Sequence, residues 1–266
     1  MNITVNGKSI NIDNSTTIYE LSLLLNIEAD LFIVNSFPVD KSYIVNNNDN
    51  IALIKKGQMP DKEHLEYLLV SRQGVEVYNK LKSSKVVVCG VGGLGSHVAI
   101  SLARSGVGTI KIIDYDVVEP SNINRQSYFI NQIGLYKTQA LKNIIENINP
   151  YIKIICKNIM LNSHNIINEV SGFDVILECF DNAETKVMLM EKCIKELPSS
   201  FIIGASGVAG YFDTDIIKIK KLGSNCIVVG DFENEAGFFK GLMAPRVTAC
   251  AAVQANEAIK YLLKDI

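Results

Sequence analysis

Lys85-Val-Val-Val-Cys89-Gly90-Val91-Gly92-Gly93-Leu94-Gly95-Ser96-His97-Val98-Ala99-Ile100 is an apolar, β-branched run that meets four glycines within six residues and continues as an apolar helix. Glycine there lets the backbone come close to a bulky group at the first turn of the helix. That turn presents unpaired N–H groups and the positive end of the helix dipole, so a polyphosphate supplies what it lacks. Gly90 permits the tight turn, Gly92 clears the phosphates, Gly93 belongs to the same run, and Gly95 lets helix and strand pack closely. A second strand, Thr109 to Asp114, ends in an acid about twenty residues on, the spacing of a nucleotide-binding strand–turn–helix.

Outward from this unit, strands alternate with amphipathic helices. A helix runs from about Lys137 to Asn147, stopped at Asn149-Pro150. Strands follow at 152–156 and 175–179, then a helix through Met190, strands at 201–203 and 215–220, and a last helix at 248–263. This order predicts a doubly wound, Rossmann-like, mainly parallel α/β sheet with its ligand at the carboxyl ends of the strands.

The first fifty-odd residues read differently. Residues 2–12 form a hairpin around Asn6-Gly7, Ser15-Thr16-Thr17 caps a helix bearing Ile18, Leu21, Leu24 and Leu25, and strands follow at 31–34 and 51–54. Between those strands lie a turn at Asn35–Pro38 and an asparagine-rich loop at 46–50. The expectation is a small α+β domain at 1–57, a helical linker at 58–84 opened by Pro60, and a nucleotide-binding domain at 85–266.

Composition narrows the class. With 26 Lys+Arg against 28 Asp+Glu, the net charge of −2 offers no basic stripe for nucleic acid. No run approaches the ~18 apolar residues of a membrane span, and the N-terminus lacks a signal-peptide pattern. Six cysteines without a C-x-x-C pair signal neither a thiolate zinc site nor a disulfide framework, which suits a reducing cytoplasm.

The glycine turn and Asp114 suit NAD as well as ATP, and the other polar positions decide between them. Asn122, Arg125, Gln126, Lys137 and Asp181 each fall at or beside a strand end or helix start. They provide the amides, cations and carboxylate that a triphosphate and Mg²⁺ require. A hydride-transfer constellation for an oxidoreductase is not recognisable.

Gly90 to Gly95, Asp114-x-Asp116-x-Val118, Ser121-Asn122-x-Asn124-Arg125-Gln126, Lys137 and Asp181-Asn182 together resemble the motif series of the ubiquitin-activating-type adenylation family. The resemblance covers residues ~70 to 266 and points to the ThiF/MoeB/HesA branch, ThiF above the others. Residues 1–57 resemble the β-grasp sulfur carriers of the ThiS type. They run on through Lys55-Lys56-Gly57 instead of ending in a free Gly-Gly, so a docking, dimerising or regulatory role stands beside that of a carrier released by cleavage.

The resemblance implies adenylation of the Gly-Gly carboxylate of a ThiS-type sulfur-carrier protein by MgATP, in thiamine (thiazole) biosynthesis. Asp114, with Asp116 near it, would serve the ribose side. Arg125 with Asn122 would grip the phosphates, Gln126 would belong to the nucleotide-binding set, Lys137 would meet the charge near the α-phosphate, and Asp181 would bind the Mg²⁺. Arg72 would enter a partner subunit's site, which implies a homodimer. A zinc-free form is expected. Cys226 is the candidate thiol for sulfur transfer, with a buried structural cysteine as the other reading, and His97 reads as a packing or backbone-bonding histidine. Rival functions are adenylation of another carrier or of a tRNA-bound carboxylate, and a nucleotide-binding regulator without catalysis.

Overall fold

The computed structural model describes residues 1–57, 62–234, 237 and 240–266. They fall into two compact units, Met1–Asn79 and Lys80–Ile266. The helix start read at Pro60 lies outside the described residues.

In the first unit β1 (Asn2–Val5), β2 (Lys8–Asn11), α1 (Ile18–Leu24), β3 (Leu31–Val34), β4 (Phe37–Val39) and β5 (Asn50–Ile54) follow in order. The sheet runs β2-β1-β5-β3-β4, with β1 and β5 parallel at its centre and the other pairs antiparallel. The hairpin turn has φ of 47° at Asn6 and 82° at Gly7, the left-handed pair that Asn-Gly supplies at low cost. Thr17 and Glu20 close a reciprocal capping box on α1, whose Ile18 and Leu21 are buried against Ile3, Phe32 and Ile51.

Two expectations change here. Asn35–Pro38 is not all turn: the reversal is at Asn35 and Ser36, and Phe37–Val39 pairs with β3 as an edge strand. Proline is tolerated there because the outer side of an edge strand needs no donor. The stretch read as a linker contains α2 (Lys62–Gln73), which is a packed element of the first unit. Its Tyr67 sits with Ile33 and Ala52 on the sheet face opposite α1 and donates a 2.6 Å hydrogen bond to Asn50 Oδ1. α3 (Val75–Ser83) runs across the boundary between the units.

The second unit contains β6 (Lys85–Cys89), α4 (Gly93–Arg104), β7 (Thr109–Asp114), α5 (Lys137–Ile148) and β8 (Lys153–Asn158). After these come α6 (Ile166–Val170), β9 (Val175–Glu178), α7 (Ala183–Glu196), β10 (Phe201–Ala205), β11 (Lys218–Lys221), β12 (Cys226–Gly230) and α8 (Ala244–Leu262). Sheet order is β11-β12-β10-β9-β6-β7-β8, parallel except for the edge strand β11. From β6 the chain winds outward through β7 and β8, and from β9 it winds the other way through β10 and β12. Right-handed crossovers therefore put α4 and α7 on opposite faces. The order reverses between β6 and β9, and the crevice above their carboxyl ends is the switch point where such folds bind ligands.

β12 was not legible as a strand, since a four-residue apolar run carries no periodicity of its own. Residues 214–216 form a 3₁₀ turn before β11 instead of joining it, and α8 starts at Ala244 with Pro245 in its first turn. None of the described helices is long and apolar enough to cross a membrane.

Candidate nucleotide and carboxylate-activation site

The glycine turn is closed by contacts that only glycine permits. A Cβ on Gly95 would sit 1.9 Å from the Gly90 carbonyl oxygen, and one on Gly90, where φ is 83°, would meet the Cys179 carbonyl oxygen at 2.9 Å. Gly92 differs, because the nearest atom to its would-be Cβ is Gln126 Nε2 at 3.7 Å. That open space lies over the N-terminus of α4, where a Cβ would fill a cradle fit for phosphate. A Cβ on Gly93 would meet Val247 Cγ1 at 3.1 Å and the aliphatic part of the Arg125 side chain at 3.8 Å, so Arg125 lies along the same turn.

Asp114 ends β7 and ties the turn down. Its Oδ2 accepts from the Val91 amide at 2.8 Å and its Oδ1 from the Asp116 amide at 2.9 Å. Burial pushes its carboxyl above the usual carboxylate range, against the pull of those amides and of Lys137. Tyr128, itself buried, donates to the Val91 carbonyl at 2.6 Å. Gln126 is buried and its Oε1 has no hydrogen-bond partner, an orphaned acceptor at the edge of the cradle.

The segment Ser121–Gln126 is built around a 3₁₀ turn at Pro120–Asn122. Asn122 is buried and spends its carboxamide oxygen on the Glu119 amide at 3.0 Å. Its observed contacts therefore hold the loop, leaving Arg125 and Gln126 as the side chains that face the glycines. Lys137, also buried, opens α5 with its ammonium 2.8 Å from the Asp116 carboxylate. Sequence placed both near the nucleotide; the structure pairs them.

Asp181 follows β9 in the loop Phe180-Asp181-Asn182, and the Phe180 ring edge approaches Gly90. It is exposed and makes no hydrogen bond or ion pair among the described residues, while Asn182 caps α7 through the Thr185 amide. A free strand-end carboxylate suits a Mg²⁺ held mainly by phosphates and water. No cluster of three or more His, Cys, Asp or Glu stands ready to hold a metal among the described residues. Arg72 lies exposed in the last turn of α2, within the first unit.

Cys226 opens β12 fully buried in the core with Cys89, Ile176 and Ile202, and burial pushes its thiol up to about 11. This is a packing position, sealed from solvent and protonated at neutral pH, so the buried structural reading is the one the geometry supports.

Two buried ion pairs that brace the carboxyl ends of β9 and β12 escaped the sequence reading. Glu178, wholly buried at the end of β9, accepts from the Phe180 amide at 2.7 Å and pairs with Lys186 of α7 at 3.0 Å, bracing the loop that carries Asp181. The signal was present: a carboxylate ending the apolar run Val175-Ile-Leu needs a buried partner. Asp231, just after β12, pairs with Arg246 of α8, which also donates to the carbonyls of Phe212 and Asp213. Burial alone would raise the Asp231 carboxyl. The amides of Glu233 and Asn234, the Asn234 side chain and the Arg246 guanidinium outweigh it and hold it at about 2.

A doubly wound, mainly parallel sheet with a glycine turn open at its switch point defines a Rossmann-like α/β protein. Residues 65–266 match the ThiF family, and the chain belongs to it; residues 1–57 match the ThiS-like ubiquitin family. The chain is 34% identical over 170 residues to the adenylyltransferase and sulfurtransferase MOCS3 of Drosophila virilis, covering 64% of this chain and 34% of that protein. The chain spans about a third of the length of the curated relatives it matches. Among solved structures, the ATP complex of the E. coli tRNA N6-threonylcarbamoyladenosine dehydratase TcdA aligns with a TM-score of 0.68 at 20% identity. It covers 74% of this chain and 92% of that one. E. coli MccB with AMPCPP and MccA aligns with a TM-score of 0.57 at 26% identity, covering 76% and 63%.

Proposed function

We propose that this protein uses MgATP to adenylate the C-terminal carboxylate of a small Gly-Gly sulfur carrier. The observation that carries the reading is the convergence, at the switch point, of an open glycine cradle with Arg125 and Gln126 against it and an unpaired carboxylate, Asp181, on the adjoining strand end. The likeness to the adenylyltransferase MOCS3 and to MccB, which binds AMPCPP, supports it.

A carboxylate oxygen of the carrier attacks the α-phosphorus, a new P–O bond forms, and the bond to the β-phosphate bridging oxygen breaks to release pyrophosphate. The attacking carboxylate is already ionised at neutral pH, so no general base is needed and the protein's work is positioning and charge stabilisation. The α4 N-terminus and Arg125 grip the phosphates, and Asp114 holds the ribose side. Lys137 leaves Asp116 to meet charge developing near the α-phosphate. Bound Mg²⁺ would neutralise phosphate charge, with Asp181 as its protein ligand.

The carrier is of the ThiS type and the pathway thiazole formation, on the strength of the ThiS-like front unit. A molybdopterin-type or tRNA-thiolation carrier is the second reading, favoured by the MOCS3 likeness. The working form is a homodimer with Arg72 acting in the partner's site. The exposed apolar residues Phe129, Ile130, Ile133, Leu135 and Tyr136, which lead into Lys137, support a face that a second copy covers. Six free cysteines fit a reducing cytoplasm.

The test is intact-mass analysis of candidate Gly-Gly carriers incubated with the protein and MgATP. Gain of one AMP on a ThiS-type carrier alone supports the thiazole reading, gain on a different carrier replaces it with the second, and no gain on any carrier contradicts adenylation.

A further inference from the structure

His97 lies one turn into α4, half-buried, and its ring makes contacts that the catalytic reading leaves unused. Nε2 is 3.1 Å from the Arg125 carbonyl oxygen, and Nδ1 is 3.0 Å from Ser127 Oγ. A carbonyl can only accept, so the proton sits on Nε2, and Nδ1 accepts from the Ser127 hydroxyl. Thr248 Oγ1 of α8 reaches the same Nε2 at 3.4 Å. The preceding residue acts alongside it, since Ser96 Oγ accepts from the Ser127 amide at 3.2 Å. Two consecutive residues of the helix whose N-terminus forms the cradle thus pin the backbone at Arg125 and Ser127.

The opposite side of that segment carries the Arg125 side chain. Its aliphatic part runs along Gly93, and Nη1 is steadied by the Ser121 carbonyl at 3.0 Å and Asn124 Oδ1 at 2.8 Å. The guanidinium is therefore fixed from both ends, by its own loop and by the ring beneath its backbone. A carbonyl-bonded imidazole on α4 ties the loop to the cradle as one rigid piece, so that the cation needs little reordering when a phosphate arrives.

We propose that His97 is a positioning residue for nucleotide binding, which sets Arg125 over the glycine turn through the Arg125 carbonyl and takes no part in proton transfer. This rests on the reading of Arg125 as a phosphate-binding residue.

The experiment is ATP titration by calorimetry on the full chain without carrier, with thermal unfolding as a control. It covers wild type, His97→Ala, His97→Gln, His97→Asn, Arg125→Ala and the double variant His97→Ala/Arg125→Ala. Glutamine places its amide N–H where Nε2–H was and keeps the carbonyl bond; asparagine reaches only the Nδ1 position. The expected result is about fivefold to tenfold weaker ATP binding for His97→Ala and His97→Asn, near-wild-type affinity for His97→Gln, and a double variant no weaker than Arg125→Ala alone.

Additive losses in the double variant, or asparagine binding as well as glutamine, would overturn the proposal while leaving Arg125 in its role. Unchanged affinity in Arg125→Ala would overturn both the proposal and the phosphate reading beneath it. Should His97→Ala fail to fold, the Gln and Asn pair decides.

Discussion

The ammonium of Lys137, buried at the first turn of α5, lies 2.8 Å from the half-exposed carboxylate of Asp116. The ion pair holds the lysine neutralised in the free protein; on the proposed reading a bound triphosphate would compete with Asp116 for it. Lys137→Met should lower the adenylation kcat by ~10²–10³-fold, the usual size for loss of one aimed charge at a transition state, with a much smaller change in ATP affinity. Steady-state kinetics with the cognate carrier measure both. An unchanged kcat would remove Lys137 from the chemistry and leave it as the structural partner of Asp116.

Gly92 and Gly95 separate the two demands on the turn. Gly95→Ala drives a Cβ into the Gly90 carbonyl and should cost the fold, seen as a fall in Tm along with lost ATP binding. Gly92→Ala meets nothing closer than 3.7 Å in the free protein, so Tm should hold while ATP binding falls by at least tenfold. Equal Tm losses in both variants would mean that the space over Gly92 is not a ligand cradle.

Asp181 is exposed and unpaired among the described residues, so Asp181→Asn should change stability by no more than ~0.5 kcal/mol. Turnover should nevertheless be abolished if the carboxylate holds Mg²⁺. Pyrophosphate-release assays over a Mg²⁺ titration check this, and wild-type turnover at ordinary Mg²⁺ would exclude the role.

Asp231 links acid stability to the strand-end scaffold. Its folded value of about 2 lies below its ordinary 3.8, so its contribution is present above 3.8 and is lost as pH falls through that window towards 2. Asp231→Asn should flatten the acid limb of the stability curve there. At neutral pH the same change strands the buried Arg246 charge and should cost ~3–5 kcal/mol, readable by denaturant titration. A variant as stable as wild type at neutral pH would show that this ion pair does not hold the segment.

Much of this architecture is written in local pattern, but not all of it. The glycine spacing, the acid ending β7 and the Asn6-Gly7 hairpin are dictated by backbone geometry within a few residues, so they read directly. β12 and the edge strand at Phe37–Val39 did not, because four apolar residues or a proline acquire their meaning only from the strand beside them. The same limit governed the site. Asp114 and Asp181 were legible as acids at strand ends, and Arg125 and Gln126 as part of a polar loop that no core would choose. That Asn122 braces its own loop, that Lys137 is paired with Asp116, and that Glu178 needs Lys186 are facts of tertiary contact that no spacing encodes. Cys226 shows the reverse case, a reactive residue type that burial in β12 turns into packing.

Exchange of labelled pyrophosphate into ATP, with Mg²⁺ and with and without a carrier ending in Gly-Gly, tests the central claim most directly. The account predicts exchange that requires the carrier, is lost on removing its final glycine, and disappears in Asp181→Asn. Absence of exchange in wild-type protein that binds ATP and the carrier would contradict it and leave a nucleotide-binding regulator in its place.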